Sequence, residues 1–120
     1  MLFRSELVLT GTLDGAGILE VSGSLEWSSG AMTGGGRSVL LPGAVGALDS
    51  GGPVSLGRIL ENAGTITMSG KSGIQGLGAV ITNRAGGVFE VTGTGAFFNV
   101  SGVSRFDNGG VFRKIGRAHV

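Results

Sequence analysis

The side chains of this 120-residue chain that could do acid–base work are eight carboxylates and one histidine. Glu20 and Glu90 come nearest to a pair, each inside a similar short strand, ILEVS and VFEVT. A glycosidase holds two carboxyls about 5–10 Å apart across a cleft. In the repeat laid out below, both fall in an outward-facing column, separated by the turn carrying Thr67, and Glu90 neighbours Arg113 on the next turn. That is a solvated face, where a Glu–Arg pair contributes at most about 1 kcal/mol. With His119 set aside for the reason given below, no Ser–His–Asp, Cys–His or zinc constellation assembles.

Other spacings point to binding. The glycine-rich TGGG (residues 33–36) and GTGAF (residues 93–97) lack the Lys-Ser/Thr of a phosphate loop and any helix to supply a dipole. Calcium-binding nonapeptides need tandem GGxGxD, whereas DGAG at residues 14–17 stands alone. Trp27 beside Glu26 is a single aromatic, better suited to packing at a strand edge than to a sugar platform. Thr10/Thr12, Thr65/Thr67 and Thr92/Thr94 resemble the threonine ladders of ice-binding solenoids, but they sit at different points of the repeat. Asn62, Asn83 and Asn108 stand near a recurrent glycine. In stacked parallel strands an Asn can bond its equivalents above and below, and it tolerates the left-handed backbone of corners. Their expected role is a structural turn and ladder, with a glycan-binding row of Asn as the alternative. No residue is assigned a catalytic, cofactor-binding or metal-binding role.

Positioning these residues falls to a repeat. LENAGTITMSG (residues 60–70) returns as LDGAGILEVSG (13–23), ITNRAGGVFEVTG (81–93) and FDNGGVFRKIG (106–116). Aligned on Gly17, Gly64, Gly87 and Gly110, the second position after glycine is Leu19, Ile66, Phe89 and Phe112. The fourth is Val21, Met68, Val91 and Lys114. Strand side chains alternate between faces, so these columns point inward and Glu20, Thr67, Glu90 and Arg113 outward. The expected core is therefore one line through Leu19, Ile66, Phe89 and Phe112. SVLLPG (residues 38–43) follows Gly36 as Leu19 follows Gly17. Further strands are expected near residues 25–27, 54–56, 79–81 and 96–100. Two features resist the scheme: the outward column Ile18, Thr65, Val88, Val111 is mostly apolar, and Lys114 stands in an inward one.

Composition agrees with short strands and tight turns. Glycine, at 26 residues, is far above the roughly 7% norm, and only 14% of residues are charged against a norm of roughly 25%. Two prolines and a positive mean hydropathy of +0.37 argue against a disordered Gly/Pro tract. No cysteine is present, which removes disulfides and thiolate metal sites and is compatible with export without showing it. There is no apolar run near the ~18 residues of a membrane helix and no signal-peptide core near Met1. A period of about two dozen residues fits a solenoid turn of two or three short strands, while a propeller blade needs ~40.

The two ends read differently. Residues 115–120, IGRAHV, resemble the translation of a sequencing adapter (ATC GGA AGA GCA CAC GTC). Residues 1–5, MLFRS, resemble that of its reverse complement. The expected division is thus a non-native tail at 1–5, solenoid repeats at 6–114 and a second tail at 115–120, which takes His119 with it. Residues 6–114 hold seven basic and eight acidic residues, a balance of −1 against +1 for the whole chain. Such dispersed, nearly neutral charge gives no electrostatic case for nucleic acid or for an anionic membrane.

The L/I-x-N-x-G-T/V-φ-x-φ-S/T-G pattern (φ apolar) resembles the β-strand repeats of large secreted bacterial surface proteins, filamentous-haemagglutinin-like adhesins and autotransporter passengers. The resemblance implies an all-β, right-handed parallel β-helix (β-solenoid) fragment of about five rungs. It also implies a secreted or outer-membrane-associated location at the surface of a bacterium. The expected function is a structural or adhesive segment without catalysis or cofactor. Neighbouring rungs of the parent, surface glycans and host-cell or matrix proteins are the expected partners, with neither nucleic acid nor membrane insertion among them. The alternatives are a slice of a β-helix polysaccharide lyase or glycoside hydrolase, which needs charges clustered on one face, and an all-β carbohydrate-binding module.

Overall fold

A computed structural model describes the backbone of residues 2–114 and the side chains of residues 4–114. Alternating apolar residues broken by glycine give fifteen strands and no helix among the described residues. β1 (Leu2–Leu9) and β2 (Thr12–Leu13) begin the chain, followed by β3 (Ile18–Trp27) and β4 (Ala31–Met32). The next turn is β5 (Arg37–Leu40), β6 (Val45–Leu48) and β7 (Pro53–Leu56); then come β8 (Ile59–Asn62), β9 (Thr65–Met68) and β10 (Gly73–Leu77). β11 (Val80–Asn83), β12 (Val88–Val91) and β13 (Phe97–Ser101) precede β14 (Arg105–Asn108) and β15 (Val111–Lys114).

Every pairing is parallel and joins a strand to its equivalent one turn away. The result is an all-β solenoid of about five turns with three faces. The first face stacks residues 18–21 of β3 with β5, β8, β11 and β14; the second stacks residues 24–27 of β3 with β6, β9, β12 and β15. β2, β4, β7, β10 and β13 form the third. β1 runs along both of the first two faces beside β3, and its residues 2–4 pair with Leu19, Glu20 and Val21. Most of the expected N-terminal tail thus lies in the ladder. The expected tail at 115–120 falls outside the described residues.

No turn can bury its own apolar side, so the core exists only between turns. Inward residues Leu19, Val21, Leu25, Trp27, Leu48, Leu60, Ile66, Ile81, Phe89 and Val91 form one continuous cluster with Met32, Val54, Leu56 and Ile74 of the third face.

The phase of the repeat differs from the expected one. Register places Ile66, Phe89 and Phe112 in one column of the second face, continued backwards by Gly46 and Leu25. Leu19 belongs to the first face, in a column with Ser38, Leu60, Ile81 and Phe106. Both faces use strands with the same inward–outward alternation after a small residue, so local sequence cannot tell one face from the other. At Ser22-Gly23 the chain continues straight into the second face, whereas at Ser69-Gly70 it leaves the second face through a turn with Gly70 at φ 62°. Within the second face, the steps from Ser24 to Val45, Thr65, Val88 and Val111 are 21, 20, 23 and 23 residues.

The apolar outer column has a simple account. Ile18 is on the first face, while Val45, Thr65, Val88 and Val111 follow one another up the outside of the second. Val45 and Val111 are exposed, with nothing over them among the described residues. β-Branched residues suit such a pleated surface because they pack against the copy above and below.

Candidate functional site

The corners, where turns stack most tightly, carry the polar chemistry. Where the first face passes to the second, Val21 and Leu40 are followed in the same inward column by Asn62, Asn83 and Asn108. Asn62 Nδ2 donates to Asn83 Oδ1 at 2.9 Å, and Asn83 Nδ2 donates to Asn108 Oδ1 at 2.9 Å. Each amide also crosses to the strand beyond, Asn62 Nδ2 to the Val88 carbonyl and Asn83 Nδ2 to that of Val111, both at 2.9 Å. Asn62 Oδ1 accepts from the Gly64 N–H at 3.1 Å, and Asn108 Oδ1 from that of Gly110 at 3.3 Å. Asn62 and Asn83 are fully buried, so these bonds replace water that the groups have lost.

This explains the N-x-G signature and its slippage. Gly23, Ala44, Gly64, Gly87 and Gly110 are the true equivalents, and a side chain at Gly64 would run into the Ala44 and Leu41 carbonyls. Asn83 stands four residues before Gly87 instead of two. The extra residues loop outward, with Gly86 at φ 87°, and the Asn keeps its place in the ladder.

The corner entering the first face holds a feature that sequence reasoning missed. Gly17, Gly36, Arg58, Ala79 and Ser104 are its equivalents, as the bonds Arg37 N to Gly17 O, Ile59 N to Gly36 O and Val80 N to Arg58 O show. Arg58 is only 5% exposed. Its guanidinium donates from Nη1 to the Thr33 carbonyl (3.2 Å) and from Nη2 to the Gly17 carbonyl (3.1 Å), with Nη2 in the space that a side chain at Gly36 would need. Nε is buried without a partner among the described residues. Burial pulls the Arg58 pKa below its ordinary value, with Asp14 acting in the opposite direction. Its partners are backbone carbonyls, so no side-chain pattern in the sequence marks it.

Charges on the outside are dispersed. Glu61 bridges Arg37 (2.8 Å) and Arg84 (3.4 Å), Glu90 meets Arg113 (3.3 Å), and Arg105 pairs with Asp107 (2.8 Å). Glu20 lies on the first face and Glu90 on the second, so they do not share the outward column expected of them. Trp27 points into the core, 2% exposed. Thr65 and Thr67 face outward on the second face, Thr12 is on the third, and Thr92 and Thr94 follow β12, so no flat threonine array forms. Among the described residues no group of three or more His, Asp or Glu side chains could hold a metal ion.

At the C-terminal end the interior opens into a bowl of about 590 Å³ lined by Phe89, Val91, Phe97, Phe106 and Phe112, with Asn108 and Lys114 at its rim. Phe106 meets Phe89 and Phe112 edge-on at 5.3 and 5.4 Å. The inward-column Lys114 reaches back to the Gly93 carbonyl at 3.2 Å, which keeps its ammonium at the edge of this surface.

These features define a repeat solenoid: a polar ladder at one corner, a buried cation at another and a mainly apolar interior. Comparison of the chain with protein-family models, with curated proteins and with solved structures finds no match.

Proposed function

We propose that this chain is a structural or adhesive segment of a large exported bacterial surface protein and performs no catalysis. The observation that carries this reading is the Asn62–Asn83–Asn108 ladder inside a three-faced stack of parallel turns. From Asn62 to Asn108, each turn's Asn is bonded to the equivalent Asn of the next turn. A fold of this kind lengthens by repetition at about 4.8 Å per turn, which suits a stalk. The resemblance of the repeats to those of filamentous-haemagglutinin-like adhesins and autotransporter passengers supports the surface location. The dispersed outer ion pairs fit a solvated shaft better than a cleft.

A glycan and matrix-protein binding screen on the folded chain, run together with a polysaccharide-cleavage assay, tests the proposal. A stalk binds nothing, and an adhesive segment binds glycan or protein without altering it. New reducing ends or unsaturated uronate products would establish the lyase or hydrolase alternative and overturn the reading.

A further inference from the structure

Asn108 is the one asparagine of the chain that precedes a glycine; Asn62, Asn83 and Asn99 precede Ala63, Arg84 and Val100. An Asn-Gly pair carries a reaction of its own. The Gly109 nitrogen can attack Asn108 Cγ, forming a C–N bond as the Cγ–Nδ2 bond breaks, and Nδ2 departs as ammonia with the proton of the Gly109 N–H. Solvent water then opens the five-membered imide at either carbonyl, leaving aspartate or isoaspartate at position 108. Glycine favours the attack because no Cβ obstructs it and its backbone turns freely. Packing does not demand the glycine: a Cβ on Gly109 would lie 3.4 Å from the Asn83 carbonyl oxygen, an ordinary contact.

The corner keeps the two reacting groups apart. The Gly109 N–H donates to the Asn83 carbonyl at 2.7 Å, so the nitrogen holds its proton. Asn108 Oδ1 accepts from Asn83 Nδ2 at 2.9 Å and from the Gly110 N–H at 3.3 Å, which fixes the carboxamide. Asn108 ends β14, and its extended backbone turns Cβ away from the Gly109 nitrogen, whereas the imide ring needs the two eclipsed. Each of these contacts is made to the preceding turn or within the corner itself. We propose that Asn108–Gly109 is a deamidation site that Asn83 keeps closed, and that it reacts only when the bonds to Asn83 open. The reaction makes a transient opening permanent. Isoaspartate adds a main-chain methylene between positions 108 and 109, which throws β15 out of its register with β12.

Peptide mapping by mass spectrometry tests this, reading the amide-to-acid mass gain at Asn108, with isoaspartate scored by an isoaspartyl methyltransferase assay. The chain is incubated in parallel in native buffer and in denaturing guanidinium at one pH. The unfolded chain is expected to convert at least about tenfold faster, since reaction at a closed site follows the population of the open form. Gly109→Ala, for which the corner has room, is expected to suppress conversion in guanidinium and so identifies the reacting pair. Asn83→Leu is expected to raise conversion in native buffer by about two- to tenfold, the weight of one hydrogen bond, and to match the parent in guanidinium. Equal rates for the parent in the two solvents overturn the proposal, as does Asn83→Leu converting no faster than the parent. If Asn83→Leu loses its strand circular dichroism, the parent in sub-denaturing guanidinium decides instead. There conversion and Gly109 amide exchange must rise together, and conversion that stays flat while exchange rises overturns the proposal.

Discussion

Asn62 Nδ2 lies 2.9 Å from Asn83 Oδ1, one turn further along, inside a corner where both side chains are fully buried. The contact is directional. Asn83 gives its protons forward to Asn108 and the Val111 carbonyl and receives on its oxygen from Asn62 behind, so the ladder has a polarity that a run of leucines would lack. The same column holds Val21 and Leu40 in earlier turns, so the corner accepts an apolar side chain where its neighbours demand nothing polar.

Asn83→Asp and Asn83→Leu separate these contributions. The carboxylate loses the donors that serve Asn108 and the Val111 carbonyl and puts a buried negative charge against acceptors. The expected loss is about 3–5 kcal/mol at neutral pH. Leu, which keeps the volume but leaves Asn62 and the Val111 carbonyl short of a bond, is expected to lose about 1–3 kcal/mol. Burial raises the folded-state pKa of the introduced Asp, so its penalty is full above that pKa and fades as pH falls towards about 4, the unfolded value. Urea unfolding followed by circular dichroism at both pH values measures this; an Asp variant as stable as the parent at pH 7 would refute the ladder's role.

Adjacent glycines give a sharper contrast. A Cβ on Gly36 would strike the Gly17 carbonyl and come within 2.6 Å of Arg58 Nη2, whereas one on Gly35 would meet nothing within 4 Å. Gly35→Ala is expected to be neutral or to stabilise by about 0.4–1 kcal/mol through the unfolded chain. Gly36→Ala must displace backbone or expel Arg58 from its two carbonyls, and is expected to cost about 2–4 kcal/mol. Thermal unfolding of the two variants side by side reads the difference; equal midpoints would mean that Arg58 does not occupy the corner.

Among the described residues Glu61 is the one outer carboxylate that holds two cations, Arg37 from the turn before and Arg84 from the loop after Asn83. Glu61→Gln leaves the guanidiniums facing a neutral amide on a half-wet surface. A loss of about 0.5–1 kcal/mol is expected at low ionic strength, shrinking in 1 M salt, where the Debye length is about 3 Å. A loss that does not change with salt would point to packing of the Glu61 stem in place of charge.

Much of the architecture is legible in the sequence because one rule, apolar residues alternating after a small one, is repeated often enough to reveal turns. The strands near residues 25–27, 54–56, 79–81 and 96–100 coincide with β3, β7, β11 and β13. The phase is not legible, since it depends on whether the chain bends or runs straight after a Ser-Gly or Thr-Gly, as at Gly23 and Gly70. Asn62, Asn83 and Asn108 could be found because glycine marks their position. Arg58 could not be, because its partners are carbonyls of residues 25 and 41 positions earlier, which no side chain advertises.

Phe89 and Phe112 occupy the same column one turn apart, 6.0 Å between ring centroids and 28° between planes, yet differ in what lies over them. Phe89 is 2% exposed, covered by Phe112 and met edge-on by Phe106, while Phe112 looks into the bowl. Phe89→Ala therefore opens a cavity between two turns and is expected to cost about 3–5 kcal/mol. Phe112→Ala trims a half-wet ring and is expected to cost about 1–1.5 kcal/mol, felt as fraying of β14 and β15 more than as a shift of the main transition. In stacked repeats such local loosening separates from global unfolding, because each turn contacts only its neighbours. Amide hydrogen exchange distinguishes the two: Phe112→Ala is expected to accelerate exchange in the last turn alone, and Phe89→Ala from β9 onward. Uniform acceleration from both would mean that the solenoid melts as one unit and that its turns are not the independent building blocks their register implies.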